Sequence, residues 1–397
     1  MQIALLNNKH LQATYEDLMV AQADVVQAGL LKNPVFFGSV RLPLGPGLTN
    51  IEVGVEQDFL DLLLIPAKKR VAEASFDAVK LRVGGEVVAL AAEVRSAFYA
   101  LQGALQVAAM RRAIGEAADA SVDLARRQHE AGNISDLDLA NEESQFTQIR
   151  LDLARSEAEI LGARERLARL LGVYGEGVAF RVADKLPELP AEEPPLEHVE
   201  SLAVARRLDL AAARKEVEAA ARGLSLVRSS RFIGGASVGV SAERHVEGQL
   251  VVGPTASLEL PIFDQKQAVV ASMEAELRRR QRRLDALAVD ARSEVREARG
   301  RLLFARSVAR QYHDVVVPLR ERIVALSQQQ YDAMLLGVYQ LLLAKQGEAA
   351  AYREYIDAVR EYWVARVELE RAAGGRLPTA RSGAPPQNQT PQTRTER

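Results

Sequence analysis

From the start of the chain, apolar residues recur at three- and four-residue steps. Leu5, Leu11, Leu18, Ala21, Val25 and Ala28 predict a helix over residues 3–32. Asn33-Pro34 ends it in this reading, because the residue before proline is pushed out of the helical region. The period then shortens to two. Val35, Phe36, Phe37 and Val40 mark one strand, and LPLGPGLTN supplies a turn. Ile51, Val53 and Val55 then alternate with Glu52, Gly54 and Glu56, which completes a hairpin over 35–59. A very long helical stretch follows over 65–131, with Pro66 near its start and Gly84-Gly85 as a weak point. At 1.5 Å per residue it would be roughly 100 Å long. Gly132-Asn133 breaks it. A return helix over 134–172 carries a seam of Leu137, Ser144, Leu151, Ala154, Ala158 and Leu161, suited to helix-on-helix packing.

The same order of elements then recurs. Residues 1–172 form a first repeat, 173–196 read as a Pro- and Gly-containing linker, and 197–374 form a second repeat. The second contains a helix over 197–229, a hairpin over 236–260, a long helix over 265–333 and a return helix over 338–373, with Gly337 as the breaker. QHEAGNISDLDLA (128–140) pairs with QYDAMLLGVYQLLLA (330–344) if two extra residues are allowed in the second copy. The Pro-, Thr- and Gln-rich tail 375–397 is expected to be disordered.

Composition narrows the chemistry. The net charge of −2 gives no support to a nucleic-acid binder. RRRQRR (278–283) wraps around a helix and has Glu274, Glu276 and Asp285 beside it, so it reads as a solvated surface. With no cysteine, thiol catalysis, disulfides and thiolate metal sites are excluded. His10, His129, His198, His245 and His313 are scattered, with no pair at helical metal spacing. No phosphate loop or nucleophile elbow follows a strand, so no catalytic, cofactor or metal site is expected and the chain does not read as an enzyme. No run approaches the length of a transmembrane helix, and no signal peptide is visible at the start.

The layout sets a physical problem. Four strands cannot close a barrel, so they either cover a helical layer or are completed by other copies. Ile51, Val53 and Val55 oppose Glu52, Glu56 and Asp58, while Val238, Val240 and Ala242 oppose Ser237, Gly239, Ser241 and Glu243. Leu250, Val252, Ala256, Leu258 and Leu260 oppose Ser257 and Glu259. An apolar outside and polar inside suit a lipid-embedded barrel with a wet lumen. A soluble sheet with one solvated face gives the same alternation. The two very long helices favour the first reading, since they do not fit a compact domain and call for an elongated arrangement with all strands at one end.

With these features the chain resembles the TolC-like outer-membrane channels of tripartite efflux systems. The resemblance is carried by ALLNNKHLQATYEDLMVAQADVVQAGLLKNP, PAKKRVAEA, AGNISDLDLANEE, LELPIFD, YDAMLLGVYQLLLAKQ and YIDAVREYWVARVELE, and runs from about residue 3 to residue 377. The wording of these segments is most similar to the heavy-metal and cation exporter branch. The resemblance implies a mainly α fold with a small β part. In it, three chains give four strands each to a 12-stranded transmembrane β-barrel continuous with a trimeric α-helical barrel. It also implies a Gram-negative outer-membrane location reaching into the periplasm. The implied partners are outer-membrane lipid, a periplasmic adaptor protein and a proton-driven inner-membrane pump. Family members begin with an export signal and an earlier stretch of helix, and many carry a lipid-bearing cysteine. The chain is therefore expected to be truncated or assigned too late a start.

The resemblance also assigns residues. Gly132, Asn133 and Gly337 would form the periplasmic tips that touch the adaptor, although they are ordinary helix-hairpin turns in any case. Asp136 and Asp138 would lie near the constriction, with Gln340 and Leu343 as the second-repeat counterparts where some relatives carry aspartate. A favourable charge in a first helical turn explains Asp136 equally. Glu52, Glu56, Glu243 and Glu259 would face the barrel lumen with Arg41 as a partial offset, or simply solvent. The expected function is a passive exit duct for metal ions or drugs. The alternative is a soluble elongated helical scaffold with hairpin docking modules.

Overall fold

The computed structural model describes residues 1–42, 44–45, 48–193, 196–232 and 234–377, the side chains of 338 and 339 excepted. The fold is mainly helical with one four-stranded antiparallel sheet. In the first repeat, α1 (Gln2–Asn7), α2 (Lys9–Ala28), β1 (Val35–Arg41), β2 (Asn50–Asp58), α3 (Leu60–Glu130) and α4 (Asp136–Leu171) follow one another. The second repeat has α5 (Val199–Arg206), α6 (Leu208–Ser230), β3 (Ala236–Arg244), β4 (Leu250–Leu258), α7 (Gln267–Gln311), α8 (Val317–Asp332) and α9 (Val338–Ala372). The sheet order is β1-β2-β3-β4, so β2 and β3, from different repeats, form its centre and β1 and β4 its edges.

Two compact units cut across the repeats. One comprises 1–98, 161–181 and 204–294 and holds the whole sheet; the other comprises 99–160, 182–203 and 295 onward and holds both helix reversals. The second unit is built on Val295, Leu302, Tyr362 and Leu369, packed with Val199 and Ala203 of α5. No described helix is long and apolar enough to cross a membrane.

Several sequence expectations are corrected. Each opening helix is two helices, broken at Asn8 (ψ 114°) and at Arg207 (ψ 124°), where the backbone turns extended. α2 stops at Ala28, capped by Gly29, five residues before Pro34. Gly84-Gly85 does not weaken α3. A Cβ on Gly84 would lie 3.1 Å from Leu208 Cδ1, so the missing side chain makes room for the start of α6. A five-residue π-helical turn, Tyr312–Val316, interrupts the second long helix beside Pro318, whose absent N–H breaks the α-ladder.

The segment read as a linker is pinned to helices of its unit. Gln102 donates to the carbonyls of Ala183 and Lys185 at 3.1 and 3.0 Å, and Trp363 donates to that of Pro187 at 2.9 Å. Glu193 is nearly buried beside Arg306 and Arg366 and accepts the Tyr362 hydroxyl. Burial, then that carboxylate, pushes the Tyr362 pKa up. Proline and glycine content removes helical period but does not prevent side chains elsewhere from holding the backbone. Leu377 is buried against α9, so the ordered chain extends past 374; the rest of the expected tail, from 378, lies outside the described residues.

Candidate functional site

The register sorts the sheet into two faces. Phe36 and Val55 sit opposite each other, as do Val55 and Val240, and Val53 and Ala242; Ala242 in turn pairs with Val252. These residues share one face, and it is open to solvent in the single chain: Phe36 is 70% exposed, Val240 57% and Val252 62%. Gln57, beside Val238, and Arg244, beside Ile51, bound this apolar face near its two ends. Such exposure is the reverse of a soluble half-buried sheet, whose apolar face is the covered one.

The opposite face is polar. Arg41 lies 3.5 Å from Glu52, which is a cross-strand neighbour of Glu243. Two like charges opposite each other destabilise a sheet. Here Arg41 compensates one, and the Asn50 amide donates to the other at 2.6 Å. Glu56 accepts from the Ser237 hydroxyl at 3.1 Å. Glu259 lies just beyond β4, where its carboxylate accepts the Gly235 N–H at 2.9 Å. Arg41, Glu52 and Glu243 are thus brought together near the hairpin turns, whereas Glu56 and Glu259 stand toward the helices. On this face Phe37 lies over Gly54: a Cβ there would be 2.4 Å from its ring, so glycine is what admits the aromatic side chain.

The two helix reversals have the same backbone. Gly132 (φ 75°) and Met334 (φ 59°) occupy equivalent left-handed positions. Asn133 N–H donates to Gln128 C=O and Leu335 N–H to Gln330 C=O, both at 2.8 Å. These six-residue closures satisfy carbonyls that the helix ends leave free. The pairing 128↔330 and 133↔335 runs without a gap, so the two-residue insertion expected in the second copy is not needed. Met334, not Gly337, makes the second break; Gly337 is the N-cap of α9.

Capping fixes the candidate constriction residues. In the first repeat, Asp138 accepts from Ser135 Oγ at 2.7 Å and from Ser135 N–H at 3.2 Å. Those bonds hold its carboxyl below the usual range. In the second, Gln340 accepts the Gly337 N–H at 2.9 Å. Asp138 and Gln340 are therefore counterparts, each engaged at its own helix start. Asp136 is almost fully exposed and lies 2.6 Å from His129 Nε2 across the reversal, while Leu343 is 57% exposed. The tips differ in surface: Met334 and Leu335 are 94% and 79% exposed, where the first repeat has Gly132 and Asn133.

Sequence reasoning missed both opening-helix breaks. Asn8 Oδ1 accepts the Leu11 N–H at 3.0 Å while its amide donates to Leu170 C=O at 2.9 Å. Asparagine three residues before an apolar position was a legible capping signal. Arg207 bonds Asp209 at 2.7 Å and Glu294 at 2.6 Å, and nothing local announced it. Among the described residues, no three His, Asp or Glu side chains gather as a metal-holding group.

Residues 1–173 match the outer membrane efflux protein family. No curated protein sequence matches the chain. Solved structures share the fold over nearly the whole length. A membrane protein from Pseudomonas aeruginosa is 22% identical with a TM-score of 0.78, covering 94% of this chain and 92% of that one. The CmeC outer membrane channel of Campylobacter jejuni is 15% identical with a TM-score of 0.78, covering 96% and 86%. The open-state MtrE outer membrane channel of Neisseria gonorrhoeae is 17% identical with a TM-score of 0.74, covering 94% and 88%.

Proposed function

We propose that the chain, whose residues 1–173 match the outer membrane efflux protein family and whose fold is that of solved outer membrane channels, is one third of a trimeric conduit of the TolC-like kind. The carrying observation is the open sheet: among the described residues, four strands, two edges without a neighbouring strand, and an exposed apolar face. Each edge presents a row of unpaired N–H and C=O groups, which hydrocarbon does not tolerate. In an antiparallel order β1 of one copy pairs with β4 of the next, and three copies close twelve strands. The apolar face then meets lipid and the polar face lines the lumen.

In this reading the duct is passive. A proton-driven inner-membrane pump supplies the energy and a periplasmic adaptor joins pump to channel, meeting the tips at Gly132, Asn133 and Gly337. Asp136, Asp138, Gln340 and Leu343 stand at the constriction. Capping bonds hold Asp138 and Gln340 and His129 holds Asp136, while Leu343 stands open toward cargo. Glu52, Glu56, Glu243 and Glu259 outweigh Arg41 on the lumen face, which favours cationic cargo, a metal ion or a cationic drug.

The protein purified in detergent is expected to run as three chains of 43.4 kDa each and to conduct ions across a planar bilayer with cation preference. Replacing Glu52 and Glu243 by glutamine is expected to reduce that preference without abolishing conductance. A folded monomer in plain buffer would overturn the reading in favour of the elongated scaffold.

A further inference from the structure

Large apolar side chains also stand open beyond the ends of the strands. At each of the four junctions between helix and strand a large apolar side chain stands open. Leu31 follows α2 and is 55% exposed; Leu63 opens α3 at 65%; Phe232 follows α6 at 57%; Phe263 precedes α7 at 92%. All four belong to the unit that holds the sheet. A soluble surface scatters such residues singly, whereas each of these lies four or five residues from an end of a strand that carries the exposed apolar face.

Basic groups follow close by in the sequence. Lys69 and Arg70 lie two turns into α3, Arg231 and Lys266 immediately flank α6 and α7, and none of the four has an acidic partner among the described residues. Arg231 sits over the Phe232 ring, its guanidinium carbon 4.3 Å from the centroid. Asp58 and Asp61 pair with Lys32 and Lys68, and the Asp264 carboxylate accepts the backbone N–H of Lys266 at 2.8 Å. Lys69 is six residues beyond Leu63, about 9 Å along the helix, comparable to the polar layer of one leaflet. Helical side chains lean toward the N-terminus, so Lys69 and Arg70 lean back toward the sheet.

We propose that this collar binds the headgroups of anionic phospholipids in the leaflet nearest the helices. The apolar side chains sit at acyl depth, and Lys69, Arg70, Arg231 and Lys266 take the phosphates. The proposal rests on the membrane-spanning reading of the sheet and adds to it a lipid preference. Adjacency to the strands of the apolar face argues for lipid as the occupant, and four basic side chains without an ion-pair partner among the described residues argue for an anionic one.

The test is binding of fluorescently labelled phosphatidylglycerol and phosphatidylcholine to the intact protein in detergent micelles. The wild type is expected to favour phosphatidylglycerol by at least about tenfold, since each basic residue at a charged surface contributes several-fold. High salt should erode the preference. The K69E/R70E/R231E/K266E variant should bring the two lipids to near parity, and the milder K69Q/R70Q variant should give an intermediate ratio. R282E/R283E, the same kind of charge change further along α7, should keep the wild-type ratio. A conducting trimer without lipid preference, or equal losses in the collar and α7 variants, would overturn the collar and leave the channel reading standing. A protein that forms no detergent-dependent oligomer would remove both.

Discussion

The two repeats meet the same backbone requirements with different side chains. At the opening-helix break, the first repeat uses Asn8, a neutral cap that bonds Leu11 and Leu170. The second uses Arg207, which is 8% exposed and bonds two carboxylates. At the helix reversal, the first repeat places glycine in the left-handed position and the second places methionine. The two halves share the path of the chain at these points and differ in the means of holding it. A backbone turn asks only that its hydrogen bonds be satisfied and its φ be reached, and several side chains can meet each condition.

The largest expected difference between the copies is at the breaks. Arg207→Ala removes charge-assisted hydrogen bonds to the half-exposed Asp209 and Glu294 and is expected to cost about 2–3 kcal/mol. Asn8→Ala loses a cap and a carbonyl partner, for about 1–2 kcal/mol. Thermal unfolding of the two variants side by side checks the order; an equal or reversed cost would mean the charged break is not the stronger one.

Acid should separate the copies further. Burial alone would raise the Asp209 pKa, but the hydrogen bonds and charge of Arg207 reverse that and hold it below its ordinary value. A depressed carboxylate contributes stability above its unfolded pKa and loses it as pH falls through the folded one. The gap between wild type and Arg207→Ala should therefore be full at neutral pH and narrow below about pH 4, the ordinary aspartate range. Asn8→Ala has no titrating partner in its bonds, and its gap should stay flat in the same melting series.

The reversals should respond with opposite signs. Gly132→Ala puts a Cβ on a residue at φ 75° and is expected to destabilise by about 1 kcal/mol. Met334→Gly relieves the same strain at φ 59° and should stabilise by a similar, about 1 kcal/mol, amount. Matching signs in unfolding measurements would show that contacts of Met334, not its backbone, decide its place. The smallest effect is at the caps. Ser135→Ala should cost about 1 kcal/mol, and Gln340→Ala about half that, because Ser135 and Asp138 cap reciprocally whereas Gly337 offers no side chain.

Period and punctuation determined much by themselves. The alternation of Ile51, Val53 and Val55 with Glu52 and Glu56 fixed which residues share a face before any pairing was known, because strand side chains alternate whatever lies beside them. The three- and four-residue seams located the long helices for the same local reason. What the sequence could not decide involved partners distant along the chain. That β2 pairs with β3, so that Glu52 meets Glu243, depends on two repeats folding together. That Arg207 breaks a helix depends on Glu294, 87 residues away. The 183–193 segment has no period, yet Gln102 and Trp363 hold it from other helices. Local rules fix the conformation each residue prefers; only packing brings together the charges and hydrogen-bonding groups that choose among those preferences.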